Sequence, residues 1–321
     1  MTQADAPGGK LATFIIPAFN VERYIGETIR GIIADPRSDI EVVVVDDGST
    51  DGTAGVVRAI DDVRVRYLRQ PNQGVSRARN HGAANSLGQF LIFLDGDDLF
   101  DIQLLDSLLQ PLLGDPQVVA SYGTFSAFVD GQREALPRNP LRRLRERPSG
   151  DILRALLQEN VVGGIGTCCV RHSSFAETGG FNEALHIAED WDLFCRLACL
   201  GPFVHVPDAH ALRYRQHQSS ATATMSANLT RYEEFAETLF SEPRILARLG
   251  APEVEQLKRS NLASYLIFVS MKAVQMGQLS ASWSMLWSAV RAYPRRVIDL
   301  TGRYAWTVVQ YYILGGSRAR R

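Results

Sequence analysis

The amino-acid sequence predicts an α/β fold with a mostly parallel central sheet over residues 11–225, followed by a helical C-terminal region over 226–321. Three observations carry this reading. Short β-branched runs alternate with segments of helical period, strand then helix, four times in succession. The connections between them are short, which suits right-handed parallel βαβ units. Beyond residue 225 the strand-like runs stop and only helical spacing continues.

Residues 1–10 (MTQADAPGGK) read as a disordered lead. Leu11–Ile16 is an apolar run stopped by Pro17. From there Val21, Tyr24, Ile25, Ile29, Ile32 and Ile33 recur at helical spacing. Ile40–Val45 (IEVVVV) is too short and too uniform for an amphipathic helix, and reads as a strand buried on both faces. Thr50 and Asp51 can cap a helix running to Ile60. Val63–Leu68 alternates as a strand, Val75–Leu87 is helical, Phe90–Leu94 is a buried strand and Gln103–Leu113 a helix. The pattern then changes. Val118–Val129 holds one or two strands, 133–147 is an arginine- and proline-rich loop or flap, and Asp151–Leu157 is helical. Ile165–Val170, Phe203–Val206 and Ala211–Arg215 read as strands around a helix at Glu189–Leu200. Helices at Leu229–Phe240, Pro252–Met276 and Ser282–Ala292 precede a basic tail.

Composition narrows the class. With 45% hydrophobic and 21% charged residues the chain is neither disordered, collagenous nor coiled-coil. A formal net charge of -1 gives no basic field for nucleic acid. Lys10, Lys258 and Lys272 are the only lysines; the other basic residues are arginines, as codon bias produces. Seven arginines against Asp299 make 291–321 basic, either a solvated end or a contact for anionic lipid or an acidic partner. Cys168 and Cys169 are adjacent and Cys195 and Cys199 four apart, spacings of neither a zinc ribbon nor a redox pair, so they read as buried thiols of a reducing compartment. The N-terminus lacks a signal-peptide core, and Tyr304–Gly316 falls short of the roughly 20 apolar residues that span a bilayer. A cytoplasmic protein is expected, with peripheral contact to the inner membrane face and homo-oligomerisation both left open.

In parallel α/β sheets ligands collect at the carboxyl ends of the strands, and the polar loops fall there. Asp95-Gly96-Asp97-Asp98 crowds three carboxylates after a buried strand. They repel one another unless a cation sits among them. Mg²⁺ takes one or two protein carboxylates and completes its shell with phosphate oxygens and water, so such a loop suits a metal-nucleotide. An acidic helix N-terminus accounts for the same run. Asp46-Asp47-Gly48-Ser49-Thr50-Asp51-Gly52 offers a carboxylate to a base N–H or ribose hydroxyls; a polar turn with a cap explains Ser49 to Asp51 but not the paired aspartates. In Pro17-Ala18-Phe19-Asn20 the aromatic can stack on a nucleobase. Arg77 and Arg79, after Asn72-Gln73-Gly74, bring cations to hold a diphosphate.

Read together, FIIPAFNVERYIGETI, VVVVDDGSTDGT, NQGVSRARNHGAANSLGQFLIFLDGDDL and GGFNEALHIAEDWDLFCRLA resemble, in order and over most of 11–200, glycosyltransferase family 2, inverting enzymes of the Rossmann-like GT-A fold. The resemblance implies a nucleotide-binding half at 11–115 and an acceptor half at 116–225. It implies a nucleotide site of Pro17, Phe19, Asn20, Glu22, Asp47, Arg79 and Asp95, with Phe19 stacked on the base and Asp47 reading the uracil edge. Asp95 and Asp97 correspond to the DxD pair, Asp97 as direct ligand to Mg²⁺ or Mn²⁺. His217, in the segment Tyr214-Arg215-Gln216-His217 with Ser220 beyond, would stand by the diphosphate or the metal. Asp190 of Ala188-Glu189-Asp190 corresponds to the general base, and Glu189, Trp191 and Gly96 to the sugar or acceptor pocket. A carboxylate near its ordinary pKa of about 4 is ionised at neutral pH. Gly96 stands where relatives often have alanine, and Cys168-Cys169 where small or apolar residues are common.

The implied activity is transfer of a sugar from a nucleotide donor, a UDP-sugar first, to a hydroxyl of a glycan or lipid-linked glycan in surface polysaccharide assembly. GDP- and dTDP-sugars are alternatives. A nucleotidyltransferase would carry a glycine-rich basic loop where PAFN stands. A non-catalytic nucleotide-sugar binder or scaffold of the same fold need not keep Asp95, Asp97 and Asp190. Arg142, Arg143, Arg145 and Arg147 form either a solvated loop or a site for an anionic acceptor. Trp283, Trp287, Trp306 and Tyr311 are read first as core, second as a membrane- or partner-facing surface. His81, His172, His186, His205 and His210 read as packing or surface histidines.

Overall fold

The computed structural model describes residues 9–131, 147–217, 229–275 and 279–294. The start of the lead, Arg142, Arg143, Arg145, Ser220, Trp306, Tyr311 and the basic tail beyond 294 lie outside these residues. The chain divides into two compact units, with 153–160 grouped with the C-terminal helices and 161–217 with the N-terminal part.

The first unit is built on β1 (Lys10–Ala18), β2 (Ile40–Asp47), β3 (Val65–Gln70), β4 (Gly88–Phe93), β5 (Leu99–Phe100), β6 (Ala120–Tyr122), β7 (Phe125–Val129), β8 (Cys168–Arg171), β9 (Phe203–His205) and β10 (Leu212–Gln216). Its helices are α1 (Ile25–Ile33), α2 (Thr53–Arg58), α3 (Val75–Ala84), α4 (Leu105–Gly114), α6 (His172–Thr178) and α7 (Glu189–Ala198); α5 (Leu153–Gln158) belongs to the second unit. Seven strands form one sheet in the order β3-β2-β1-β4-β8-β6-β9. β1 runs parallel to both β2 and β4, with Phe14 opposite Val42 on one side and Ile92 on the other. β8 runs antiparallel between β4 and β6. Chain order reverses direction between β1 and β4, which opens a crevice at their carboxyl ends.

Every residue of β2 is buried, and its side chains alternate between two layers. Val42 and Val44 join Phe14, Ile25, Ile29, Leu105 and Leu108 in the main core, while Val43 and Val45 pack with Ala78 of α3. The β-branched run is thus buried on both faces, as expected of a central parallel strand. Lys10 opens β1 instead of closing a disordered lead. α1 begins at Ile25, later than the apolar spacing predicts; the turn before it is tied to the loop after β2, Val21 donating its N–H to Thr53 Oγ1 and Glu22 to Asp51 Oδ2. The predicted strand at Ile165–Val170 splits into a 3₁₀ turn, Ile165–Thr167, and β8. β5 and β10 pair antiparallel and β10 and β7 parallel, forming a second, three-stranded sheet. Arg147 donates to the carbonyls of Gly123 and Val162, a brace between loops in place of a solvated or acceptor-binding arginine.

The second unit comprises α5, α8 (Leu229–Phe240), α9 (Pro243–Leu249), α10 (Ala251–Gln275) and α11 (Leu279–Ala292). Pro243 and the Glu242 cap start α9, and Gly250 at φ 79 ends it, so a helix read only from Pro252 onward has a separate predecessor. α10 and α11 pack together through Ala263, Leu266, Ile267 and Ala289. Trp283 and Trp287 are 57% and 62% exposed, so the core reading does not hold for them. No helix among the described residues is long and apolar enough to cross a membrane. The buried Asn261 donates to the carbonyl of Leu157 in α5 and accepts from Tyr232 of α8, tying three helices together. Asn261→Ala should therefore cost about 1–3 kcal/mol by stranding that carbonyl; urea unfolding followed by helix circular dichroism would measure the loss.

Candidate active site

The loops after β1 and β2 are stitched to each other. Asn20 donates its N–H to Ser49 Oγ at 3.1 Å and accepts the Thr50 N–H at Oδ1 at 2.9 Å. Glu22 accepts the N–H of Gly52. Asn20 sits at φ 53, a left-handed conformation that asparagine adopts more readily than most residues and that its side-chain bonds to Thr50 hold. Gly48 is at φ 79, and a Cβ there would meet the main-chain N of Asn72 at 2.7 Å, so only glycine lets the two loops approach. Phe19 is left 48% exposed at the end of β1.

The paired aspartates have separate tasks. Asp46 is buried, accepting from Ser49 N–H and from the Tyr67 hydroxyl. Asp47 accepts from Gln70 Nε2 at 2.8 Å, Gln73 N–H at 2.9 Å and Gly74 N–H at 2.9 Å. Those three bonds leave about one of its four lone-pair positions for a ligand and pin the loop before α3 over the end of β2.

Arg79 projects from α3 and is almost wholly buried. Its Nη2 donates to Asp95 Oδ1 at 2.8 Å and its Nη1 to Glu189 Oε1 at 3.1 Å. One guanidinium therefore bridges the acidic loop after β4 and the start of α7. Burial opposes its charge, but Asp95, Glu189 and Asp190 more than offset that penalty. Its Nε, and the Oγ of Ser76 three residues earlier on the same helix, are buried without a hydrogen-bond partner.

The small sheet delivers the other wall. Arg215 on β10 donates its main-chain N–H to Asp98 Oδ1 at 2.8 Å and its Nε to the Asp97 carbonyl at 2.7 Å. Two residues on, His217 Nε2 lies 2.9 Å from Asp97 Oδ2. Burial, then the charge of Asp95, raises the Asp97 carboxyl above its ordinary range. The same two causes raise Asp98 to about 9. Gly96 fits between Pro17, Val21 and Ile25, where a Cβ would lie 3.2 Å from each.

α7 presents Glu189 and Asp190 in its first turn. The preceding Ala188 is held at φ 55, which places a non-glycine residue in a strained conformation at the point that aims both carboxylates. Asp190 accepts the N–H of Trp191 at 2.7 Å. Burial and the adjacent Glu189 carboxylate raise Asp190 to about 7, against the opposing pull of Arg79. It is thus not a carboxylate of ordinary pKa. Cys168 and Cys169 are fully buried in β8, and desolvation raises both thiols far above their usual range. His81 bonds to Gln70 Oε1 and His172 to the Gly88 carbonyl, the packing roles read for them.

The structure thus gathers Asp95, Asp97, His217, Arg79, Glu189 and Asp190 into one linked group, with Asp47, Asn20 and Glu22 in the adjoining loops. Two contributors had no role of their own in the sequence reading, Arg215 and Tyr24, whose ring lies 4.7 Å from that of His217, and Asp98 was read only as part of the acidic run. A Tyr-Arg-x-His run at the end of a strand was the signal for the first. Among the described residues no three His, Cys, Asp or Glu side chains form a ready-made metal cage. Asp95, Asp97 and His217, the last 2.9 Å from Asp97, are two carboxylates and an imidazole, donor types suited to a cation that completes its shell with phosphate and water.

A raised folded-state pKa means that the native protein holds its proton more tightly than the unfolded chain, so the stability that Asp190 contributes below pH 4 is lost as pH rises towards 7. Asp190→Asn removes that titration. The variant should match wild type near pH 4.5 and exceed it by about 1–3 kcal/mol at pH 8; thermal unfolding of both proteins across this range checks the sign.

The sequence profile described as Glycosyl transferase family 2 matches residues 13–180. The glycosyltransferase GlyA of Streptococcus pneumoniae is 32% identical over 122 residues, 37% of this chain and 17% of GlyA. GlyG of the same organism is 29% identical over 154 residues, 44% of this chain and 51% of GlyG. Chondroitin synthase of Pasteurella multocida is 28% identical over 199 residues, 61% of this chain and 20% of the synthase. The aligned segments span about half or less of these relatives. Among solved structures, S. aureus TarS 1–349 in complex with UDP-GlcNAc gives a TM-score of 0.65 at 17% identity, over 94% of this chain and 88% of that one. The mannosyltransferase PcManGT from Pyrobaculum calidifontis, in complex with GDP-Man and Mn²⁺, gives 0.58 at 20% identity, over 94% and 84%. At these identities the likeness establishes the fold. With the family profile covering more than half of the chain, and with β1, β2, β4 and their acidic loops inside the match, the protein belongs to glycosyl transferase family 2 and has the GT-A fold.

Proposed function

We propose that the protein is a metal-dependent inverting glycosyltransferase that moves a sugar from a UDP-sugar to a hydroxyl of a glycan or lipid-linked glycan. The observation that carries this reading is Arg79, which ties the acidic loop after β4 to the helix turn bearing Asp190. A donor diphosphate and an acceptor hydroxyl are thereby served from one crevice. The unpartnered Nε of Arg79 and Oγ of Ser76 supply buried donors for an anionic ligand. Phe19, exposed at the end of β1, offers a face for the base. The neighbouring structures hold UDP-GlcNAc and GDP-Man, which supports a nucleotide-sugar donor.

In the reaction Asp190 accepts the proton of the acceptor hydroxyl. The oxygen attacks the anomeric carbon from the face opposite the diphosphate, and the bond from that carbon to the phosphate oxygen breaks, the nucleoside diphosphate leaving with the electron pair. A pKa near neutrality keeps Asp190 basic enough to take the proton, while a useful fraction stays ionised. Mg²⁺ or Mn²⁺, held by Asp97, Asp95 and His217, would neutralise charge on the leaving diphosphate. Arg79 keeps Asp95 and Glu189 in place throughout. The TarS complex favours uridine and the mannosyltransferase complex keeps a guanosine donor as the second reading.

Thermal unfolding with UDP-, GDP-, dTDP- and CMP-sugars, with and without Mn²⁺, tests donor and metal without an acceptor. A specific donor at a hundredfold excess over Kd stabilises by about 2.7 kcal/mol. The expected result is a Mn²⁺-dependent shift with one UDP-sugar, lost in Asp97→Asn and kept in Asp190→Asn. Asp190→Asn should lower the release of nucleoside diphosphate from the donor about 10²–10⁴-fold. Unchanged turnover would remove Asp190 from the mechanism, and no shift with any nucleotide would favour a scaffold.

A further inference from the structure

The guanidinium of Arg215 has more partners than a buried charge needs. Its Nη2 donates to Glu27 Oε2 at 2.7 Å and its Nη1 to Asp130 Oδ1 at 3.2 Å, and those two carboxylates already satisfy its charge. Its Nε is directed elsewhere, to the main-chain carbonyl of Asp97 at 2.7 Å, while its own N–H donates to Oδ1 of the Asp98 carboxyl group at 2.8 Å. The rings of Tyr24 and Phe128 lie 5.0 and 4.8 Å from its central carbon. Tyr24 also lies against the His217 ring. Asp97 is therefore gripped twice from β10, at its carbonyl by Arg215 and at Oδ2 by His217. The guanidinium reaches its three partners from three separate nitrogens; a lysine would keep the charge and three donors but gather them on one atom and lose that spread.

We propose that Arg215 is a positioning residue for the metal-diphosphate site: it fixes the Asp97 main chain and, two residues on, His217 in mutual register, with Glu27 on α1 as its outer anchor. The inference rests on the metal-dependent reading of the same site. Arg215 itself need not touch donor or metal. The Glu27 side chain is 61% exposed, so a surface carboxylate reaches the ligand pair through a single buried guanidinium.

The test uses the full chain, with Mn²⁺ titrated against protein at saturating UDP and, separately, saturating GDP, in wild type, Arg215→Lys, Glu27→Gln and Asp97→Asn. Arg215→Lys should weaken Mn²⁺ affinity about tenfold or more, in the range found for second-layer partners of metal ligands. Glu27→Gln should weaken it about threefold, with unchanged circular dichroism. In Glu27→Gln, nucleotide affinity in EDTA and kcat at saturating Mn²⁺ should stay within about threefold of wild type, the pattern of lost ground-state binding without lost chemistry. If Arg215→Lys does not fold, Glu27→Gln on its exposed side chain carries the same comparison. Wild-type Mn²⁺ affinity in both variants, alongside loss in Asp97→Asn, would overturn the inference and leave the proposed function standing. No Mn²⁺ binding by wild type with either nucleotide would overturn both.

Discussion

The buried guanidinium of Arg79 is the point on which the site is assembled. It lies between Asp95, after β4, and Glu189, at the start of α7, groups nearly a hundred positions apart in the chain. Three carboxylates near one crevice would otherwise push apart, and a buried cation among them is costly without such partners. Each side therefore stabilises the other: the acids offset the cost of burying the guanidinium, and the acids stay close because the arginine is there. Because Glu189 and Asp190 sit in one helical turn, the same contact helps bring Asp190 towards the acidic loop.

Around that contact the fold divides its labour by sheet. The seven-stranded sheet supplies rigid strand ends: β1 with Phe19 and Asn20, β2 with Asp47, β4 with Asp95. The three-stranded sheet supplies the closing wall, because β10 pairs with β5 directly after the acidic loop and so carries Arg215 and His217 to it. Local strain gathers at the same place. Asn20 and Ala188, the non-glycine residues with positive φ among those described, flank the crevice from β1 and from α7. Desolvation then gives neighbouring carboxyls different properties, with Asp190 raised to about 7 and Asp98 to about 9.

Much of this was legible in the sequence because the signals are local. The run Ile40–Val45 announces a strand buried on both faces through its composition alone. Asp95-Gly96-Asp97-Asp98, Asp46-Asp47 and Glu189-Asp190 announce crowded charge by adjacency. The turn before α1 carried tertiary bonds that spacing does not announce, Val21 and Glu22 donating their N–H groups to side chains of the loop after β2. The two exposed tryptophans of α11 show the opposite limit, since helical spacing fixes which residues share a face but not whether anything covers it.

What the sequence determined by itself was the strand-helix alternation, the sheet's buried centre and the acidic loops at the strand ends, since periodicity and charge crowding act over a few residues. What only the tertiary structure decided was which distant groups meet: Arg79 with Glu189, Asp97 with His217, Arg215 with Glu27, and α5 with the C-terminal helices through Asn261. These pairings join residues from just over one hundred to nearly two hundred positions apart. No local propensity encodes them; they follow from strand order, and from the cost of burying charge without a partner.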